Sequence, residues 1–180
     1  MRQRVYKLTD TYASIIGFRT KITDGKGYGS IIRDVGNMCD QVSLLAVNAN
    51  IVYGIEHAID VLKITLEAKR RNMMIAKKEE TDILLRLLCT TQISVALRSG
   101  GLKNHNYGCF ILFSKNKSQL LKVRKNIGKL FEVKNEVLRA NKKKRKIISG
   151  ILGLPFNKSI SDDDKTFTKY LSERACLITK

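Results

Sequence analysis

The segment Ile55–Arg71, Ile-Glu-His-Ala-Ile-Asp-Val-Leu-Lys-Ile-Thr-Leu-Glu-Ala-Lys-Arg-Arg, contains the longest helical pattern in the chain. Its apolar side chains recur at steps of three and four residues, which places them on one face of a helix. These residues are Ile55, Ala58, Ile59, Leu62 and Leu66. The opposite face carries charged residues at the spacing of ion pairs, namely Asp60, Lys63, Glu67 and Arg71. The segment therefore predicts a long amphipathic helix with one face toward a hydrophobic core.

Three other segments predict β-strands. Tyr107–Phe113 is a continuous apolar run of strand length, which is typical of a central strand covered on both faces. Val42–Val47 predicts a second apolar strand, and the alternation along Ser14–Ile22 predicts a half-buried one. Between the strands, Asp24–Gly27 predicts a turn and Ser30–Asp40 a short helix.

Further helices follow the long one. Glu79–Thr90 has an acidic first turn that suits the helix dipole, with Ile83, Leu84, Leu87 and Leu88 on its core face. Thr91 is predicted to cap a third, short helix that stops at Gly100-Gly101 and bears Ile93, Ala96 and Leu97. Leu120–Leu130 predicts a helix with a basic outer side, and Phe167–Ile178 predicts the last one, after an acidic start.

The length and composition indicate one folded domain that covers residues 1–180. A chain of 180 residues with 43% hydrophobic content and one proline builds a single core. We expect an α/β fold of the α+β type, with a small mixed or antiparallel sheet packed against several helices. No apolar stretch approaches the ~20 residues of a membrane span, and a secretory apolar region is missing. We therefore expect a soluble, cytoplasmic protein that does not bind membranes.

The charge distribution indicates a polyanionic partner. The chain has 34 Lys and Arg against 16 Asp and Glu, a formal net charge of +18 at pH 7. Between Arg98 and Lys146 there are 15 basic residues and two acidic ones, so 13 of the 18 excess charges lie there. Such a patch attracts nucleic acid in a salt-dependent way. The alternative interpretation is that these lysines only solvate helix faces.

The candidate RNA contacts are cations near helix ends, together with the lysine run Lys142–Lys146. The ends of successive helices lie on either side of short connections, so we expect their cations to converge on one surface. The predicted RNA-binding residues are Lys69, Arg70, Arg71, Lys77, Lys78, Arg98, Lys103, Lys142, Lys143, Lys144 and Arg145. Tyr107 is the nearest aromatic residue for stacking an unpaired base. The alternative for the cations is that helix C-termini favour Lys and Arg through the dipole alone.

Motifs for catalysis, cofactors or metal ions are not supported by the sequence. Gly25–Gly29 fits neither nucleotide-binding fingerprint and is better explained as a turn. His57 is expected to cap or pack in the first turn of the long helix, and His105 lies in a polar loop. The four cysteines are scattered without a CxxC pair, which predicts buried thiols in a reducing compartment. We therefore expect neither an enzyme nor a bound cofactor or metal ion.

Two signatures resemble a known family. The first is Ala49–Ile59, in which an Ala, an apolar pair, a small residue and Glu56-His57 open a long helix. The second is Asp82–Lys103, with its Gln92-Ile93-Ser94 motif and its Gly100-Gly101 pair. Together they resemble the small α/β subunit of the KEOPS complex, the p53-related-protein-kinase-binding protein family, in its archaeal form. The likeness runs from about Ser14 to Ile178.

The resemblance implies a single non-catalytic domain that binds the N-terminal lobe of the KEOPS kinase-like ATPase. That complex installs threonylcarbamoyladenosine next to the anticodon of tRNAs that read codons starting with A. The family's subunit is understood to recruit tRNA by its single-stranded 3′ CCA end. One position departs from the family, because Thr91 stands where an Arg commonly precedes Gln-Ile.

The resemblance also implies that the C-terminal region contributes to kinase binding. On that basis the predicted kinase contacts are Leu171, Cys176, Leu177 and Ile178. The alternative is that this apolar stripe packs on the protein's own sheet. Two alternatives to the KEOPS function also remain, a general basic RNA-binding protein and an RNA- or nucleotide-acting enzyme. The enzyme's site would comprise Gly25–Gly29 and His57.

Overall fold

One antiparallel sheet of five strands forms the centre of the described chain. The strands are β1 (Tyr6–Leu8), β2 (Thr11–Arg19), β3 (Ser43–Asn48), β4 (Tyr107–Ser114) and β5 (Glu132–Val133). Their order is β1-β2-β4-β3, and β5 pairs with the end of β2 on the same edge as β1. This computed structural model describes residues 4–19, 35, 41–102, 107–154 and 163–179. The predicted turn Asp24–Gly27, and all but Val35 of the predicted helix Ser30–Asp40, lie outside the described residues.

Six α-helices surround the sheet in the described part of the chain. They are α1 (Gly54–Arg70), α2 (Glu79–Leu87), α3 (Ile93–Gly100), α4 (Lys117–Leu130), α5 (Lys142–Ile151) and α6 (Asp164–Leu177). Two 3-10 turns, Ala49–Ile51 and Asn135–Leu138, join strands to helices. The expected α/β fold with an antiparallel sheet is therefore confirmed.

The sheet is covered on both faces because strand side chains alternate between them. On one face, Ile15 and Ile111 pack with the apolar sides of α1 and α2. On the other, Phe18 stacks on Phe110 with ring centroids 4.0 Å apart, and α4 covers them. A smaller cluster of Tyr53, Ile148, Phe167 and Leu171 joins α5 and α6 to the start of α1. This layering puts α4 on the opposite side of the sheet from α1 and α2.

The central position predicted for Tyr107–Phe113 is confirmed, whereas the half-buried character predicted for β2 is wrong. β4 pairs with both β2 and β3, and its side chains after Tyr107 are buried. β2 is also buried on both faces, because the turn Asn135–Leu138 covers Gly17. Asn135 Oδ1 accepts the Gly17 N–H at 2.9 Å, and a Cβ at Gly17 would lie only 2.5 Å from the Lys134 carbonyl oxygen.

The long helix forms where it was predicted, with ion pairs at the predicted spacings. Lys63 lies 3.2 Å from Asp60, and Arg71 lies 2.6 Å from Glu67. The next helix is shorter than predicted, since α2 ends at Leu87 and Cys89 adopts a left-handed φ of 45°. The predicted Thr91 cap is wrong, because Thr90 Oγ1 instead accepts the Gln92 N–H at 3.2 Å.

Candidate nucleic-acid interface

The junction between α1 and α2 brings together five of the predicted RNA contacts, all of them exposed. Three of the five cations form ion pairs with carboxylates. Lys69 pairs with Glu79, and Glu67 accepts both Arg70 at 3.1 Å and Arg71 at 2.6 Å. Lys77 and Lys78 form no ion pair among the described residues. The groove beside the junction, about 1010 Å³ in volume, also contains carboxylates of both helices. A phosphate bound here would therefore lie near both cations and carboxylates.

A buried aspartate on α2 fixes the α1–α2 junction. Asp82 is fully buried and accepts the Ile75 N–H at 2.6 Å, which holds the connecting segment against α2. Its other oxygen accepts hydrogen bonds from Thr65 at 2.8 Å and from Arg86 Nε at 2.7 Å. Arg86 in turn donates to the Ala175 carbonyl oxygen at 2.7 Å. One carboxylate thus ties α1, α2 and, through Arg86, α6 into a rigid unit.

The end of α3 lies against the turn Ala49–Ile51, and a glycine makes this contact possible. A Cβ at Gly100 would come within 2.8 to 2.9 Å of Leu84, Ile51 and Leu88, so only glycine fits without displacement. Arg98, in the last turn of α3, is exposed and forms no ion pair among the described residues. Lys103 lies outside the described residues.

The lysine run on α5 splits into outward and inward residues. Asn141 caps the helix by accepting the Lys144 N–H at 2.9 Å, and Lys142 and Lys143 are exposed in its first turn. Lys144 points inward, is 3% exposed and donates from Nζ to the Val52 carbonyl oxygen at 2.8 Å. The prediction that Lys144 contacts RNA is therefore wrong, because helical periodicity turns one residue of the run into the core.

Arg145 fastens α5 to α6 instead of facing solvent. Its guanidinium lies 2.9 Å from Asp164 Oδ1 and 5.1 Å from the centroid of the Phe167 ring. It also donates to the Tyr53 hydroxyl at 3.2 Å, and Tyr53 donates to Asp164. With its charge met by a carboxylate and two rings nearby, Arg145 has a structural role in this conformation, contrary to the predicted RNA contact.

Three buried ionisable groups lie where α1, α5 and β4 meet. Burial lowers the pKa of His57 to about 4 and that of Lys144 to about 8, and it raises the pKa of Cys109 to about 12. His57 is fully buried, and its Nδ1 accepts the Tyr53 N–H at 3.2 Å. The expectation that His57 caps or packs is confirmed, and the imidazole is neutral at pH 7.

The predicted cations form two groups instead of one surface. The Lys69–Lys78 group lies at the C-terminal end of α1, which is 17 residues and so roughly 25 Å long. Gly100 at the end of α3 packs on Ile51 and Lys144 of α5 reaches the Val52 carbonyl oxygen, so these two helix ends lie just before the opposite end of α1. The helix end that carries Arg98 is therefore remote from the Lys69–Lys78 group, contrary to the expected convergence of the helix-end cations. The second group has the fewest carboxylate partners.

Tyr107 and Arg19 form an exposed pair at the end of the sheet where β4 begins and β2 ends. Tyr107 is 41% exposed, and the guanidinium of Arg19 lies 6.0 Å from its ring centroid. The two residues are cross-strand partners, since β2 ends where β4 begins. Arg19 was not among the predicted contacts, because its position opposite Tyr107 depends on strand pairing. An exposed ring with a nearby cation suits base stacking.

Three of the four predicted kinase contacts lie at the surface, at the C-terminal end of α6, and the fourth is buried. Leu171 is fully buried in the chain's own core, so its predicted contact with a kinase is wrong. Cys176 is exposed, Leu177 is 80% exposed, and Ile178 is half-buried. Leu177 and Ile178 line a groove of about 390 Å³ with Cys89 at the end of α2. Helix α3, which begins four residues after Cys89, exposes Ile93 and Leu97 by 50% and 55%.

No protein-family model and no curated protein matches this chain. Within the described residues, none of the helices combines the length and apolar character needed to cross a bilayer. The same residues contain no group of three His, Cys, Asp or Glu side chains placed to hold a metal ion. The functional assignment therefore depends on the two signatures and on the chemistry of the exposed surfaces.

Proposed function

We propose that this chain is a non-catalytic, cytoplasmic subunit of the KEOPS complex, which binds the kinase-like ATPase and recruits tRNA by its 3′ CCA end. The tRNA is then modified with threonylcarbamoyladenosine next to the anticodon. The observation that carries the proposal is that the two signatures pack on each other. Gly100 of the second signature sits against Ile51 of the first and against Leu84 and Leu88. The family-like residues thus belong to one structural unit.

The tRNA role is supported by the cations around this unit. Arg98, Lys142 and Lys143 are exposed and lack ion pairs among the described residues, and they belong to the helix ends whose Gly100 and Lys144 contact Ile51 and Val52. Cations without carboxylate partners bind phosphates without first breaking an ion pair. A single-stranded tail exposes both phosphates and base faces, so these cations and an exposed ring such as Tyr107 suit it.

The kinase role is supported by exposed apolar side chains at the end of α6 and on α3. Leu177, Ile93 and Leu97 are large hydrophobic residues exposed by half or more. Apolar side chains at the centre of a protein interface supply much of its binding energy. The kinase contact is thus proposed for Cys176, Leu177 and Ile178.

Filter binding with two RNAs tests the 3′-end claim. The affinity of the protein for full-length tRNA is compared with that for tRNA lacking the CCA end, each at two salt concentrations. We expect the truncated RNA to bind more weakly at both salts, because the tail contacts are lost. Equal affinity for the two RNAs contradicts the claim, even when salt weakens both.

Two charge-reversal variants locate the RNA site. Arg98→Glu with Lys142→Glu and Lys143→Glu is expected to weaken tRNA binding more than Lys69→Glu with Arg70→Glu and Arg71→Glu. The reason is that the second set already pairs with carboxylates. Both variants should retain the kinase in a pull-down. The reverse ranking would place the tRNA site at the α1–α2 junction.

The alternative function, a general basic RNA-binding protein, has no kinase partner. Retention of the KEOPS kinase in a pull-down supports the proposed function, and its absence with RNA binding intact supports the alternative. No observation favours the enzyme alternative. His57 is fully buried, and Gly25–Gly29 lies outside the described residues.

A further inference from the structure

The outer face of α4 is a row of lysines without carboxylates. The helix packs Leu120, Val123 and Ile127 against the sheet and exposes Lys122, Lys125 and Lys129 on its other side. These three lysines form no ion pair among the described residues. The sequence contains no Asp or Glu from residue 115 to residue 131. The row is therefore an uncompensated band of positive charge.

The same helical spacings carry opposite charges on α1. There Lys63 pairs with Asp60 and Arg71 pairs with Glu67, as expected for a face that is only solvated. On α4, by contrast, Lys125 is three residues from Lys122 and four from Lys129, so like charges repel and weaken the helix. A row that opposes the stability of its own helix indicates a polyanionic partner that neutralises it.

The position of α4 separates this row from the other cations. The helix covers the face of the sheet that lies opposite α1 and α2. From Lys122 to Lys129 the row runs about 10 Å along the helix axis, which presents three charges to neighbouring phosphates. The helix carries no aromatic residue for base stacking. Such a surface suits a phosphate backbone and not an unpaired base.

We propose that the outer face of α4 binds the phosphate backbone of double-stranded RNA, as a second contact to the body of the tRNA. The proposal rests on the proposed tRNA function, because it adds a site for the same RNA. A membrane surface fits less well, since a helix lying on a bilayer inserts a continuous apolar face, and the face of α4 formed by Leu120, Val123 and Ile127 is buried on the sheet, which leaves only Leu121 and Leu130 exposed beside the lysines.

The test compares two triple variants with the same change in net charge. The first is Lys122→Gln with Lys125→Gln and Lys129→Gln. The control is Lys63→Gln with Lys115→Gln and Lys169→Gln, whose lysines pair with Asp60, Asp10 and Glu173. The probes are full-length tRNA, an RNA hairpin without a tail, a short single strand ending in CCA, and vesicles containing anionic lipid.

The α4 variant is expected to bind tRNA and the hairpin about tenfold more weakly. The slope of log binding constant against log salt concentration should become shallower by about two to three, since each lost phosphate contact contributes about 0.9. The control should change both quantities less, and the CCA strand should bind both variants like the unmodified protein. Equal losses in the two variants, or a loss confined to the CCA strand, would overturn the proposal. So would loss of vesicle binding with hairpin binding unchanged. Failure of the CCA strand to bind the unmodified protein would instead refute only the proposed 3′-end function.

A second variant separates binding from helix stability. Lys125→Glu places an acid next to Lys122 and Lys129, so the melting temperature should rise by about 2 °C. We expect RNA affinity to fall despite this gain. Affinity for the hairpin that is unchanged or improved would mean that the row has only a structural role.

Discussion

His57 shows how one buried side chain sets a pH limit on stability. Burial lowers its pKa from 6.5 to about 4, so between these two pH values the imidazole is protonated in the unfolded chain and neutral in the folded chain. Stability is therefore fully present above pH 6.5 and declines as the pH falls toward 4, by about 3 kcal/mol for this one group. Denaturant unfolding at a series of pH values between 7 and 4 measures the decline.

The matched variant for this prediction is His57→Asn, whose side-chain oxygen replaces Nδ1 as the acceptor for the Tyr53 N–H. It lacks the titrating ring, so it should lose less stability over the same pH range than the unmodified protein. Carboxylates titrate in both proteins, and the difference between the two curves isolates the histidine. Parallel curves of stability against pH for the two proteins would show that the pKa of His57 does not differ between the folded and unfolded chain, contrary to the prediction.

Lys144 and Lys143 are sequence neighbours with opposite expected roles. Lys143→Met removes an exposed charge and should weaken tRNA binding several-fold, whereas Lys144→Met should leave tRNA affinity within about twofold because its ammonium is buried. The pKa of Lys144 is lowered from 10.5 to about 8, so stability should rise as the pH increases through this window. That rise should be absent in Lys144→Met. Equal RNA affinities of the two variants would contradict the assignment.

At the scale of elements, the sequence predicts the long periodic segments better than their surroundings. The stripe of α1 and the apolar run of β4 are visible because periodicity reports burial directly. β1 and β5, of three and two residues, exist only through pairing with β2, so no local pattern predicts them. The inward turn of Lys144 has a similar cause, since it depends on where α5 docks.

The cross-helix contacts of α2 lead to a stability prediction. Asp82 is fully buried and ion-paired with Arg86. Asp82→Asn removes the charge that compensates the buried guanidinium and should destabilise the protein by about 3–5 kcal/mol. Urea unfolding measures the change. Asp60→Asn, which breaks an exposed pair on α1, is the control and should cost at most about 1 kcal/mol. Similar losses in the two variants would refute the special role of Asp82.

At the scale of the whole molecule, the lysine row of α4 and the most exposed apolar side chain of the described residues lie on different helices. The exposed cations without ion pairs among the described residues include those on α4 and α5, at the end of α3 and at Lys77-Lys78, while the most exposed large apolar side chain described is Leu177 at the end of α6. The charge surplus of the sequence predicted a basic surface, and the family resemblance implied a partner surface at the C-terminal helix. It did not predict which residues reach them, since Lys144 and Leu171 turn inward through packing between distant elements.

The distance along the chain between α4 and the end of α6 predicts that binding of the two proposed partners can be removed independently. Leu177→Asp places a charge on the proposed kinase surface, so the kinase should be lost from a pull-down while tRNA affinity remains within about twofold, since a buried unpaired charge opposes an apolar interface. Leu171→Ala, six residues earlier on α6, should instead lower the free energy of unfolding by about 2–5 kcal/mol because it opens a cavity in the core. Normal thermal melting of Leu177→Asp would show that its kinase defect is not due to unfolding. Retention of the kinase by that variant would place the partner surface elsewhere, with α3 and its exposed Ile93 and Leu97 as the next candidate.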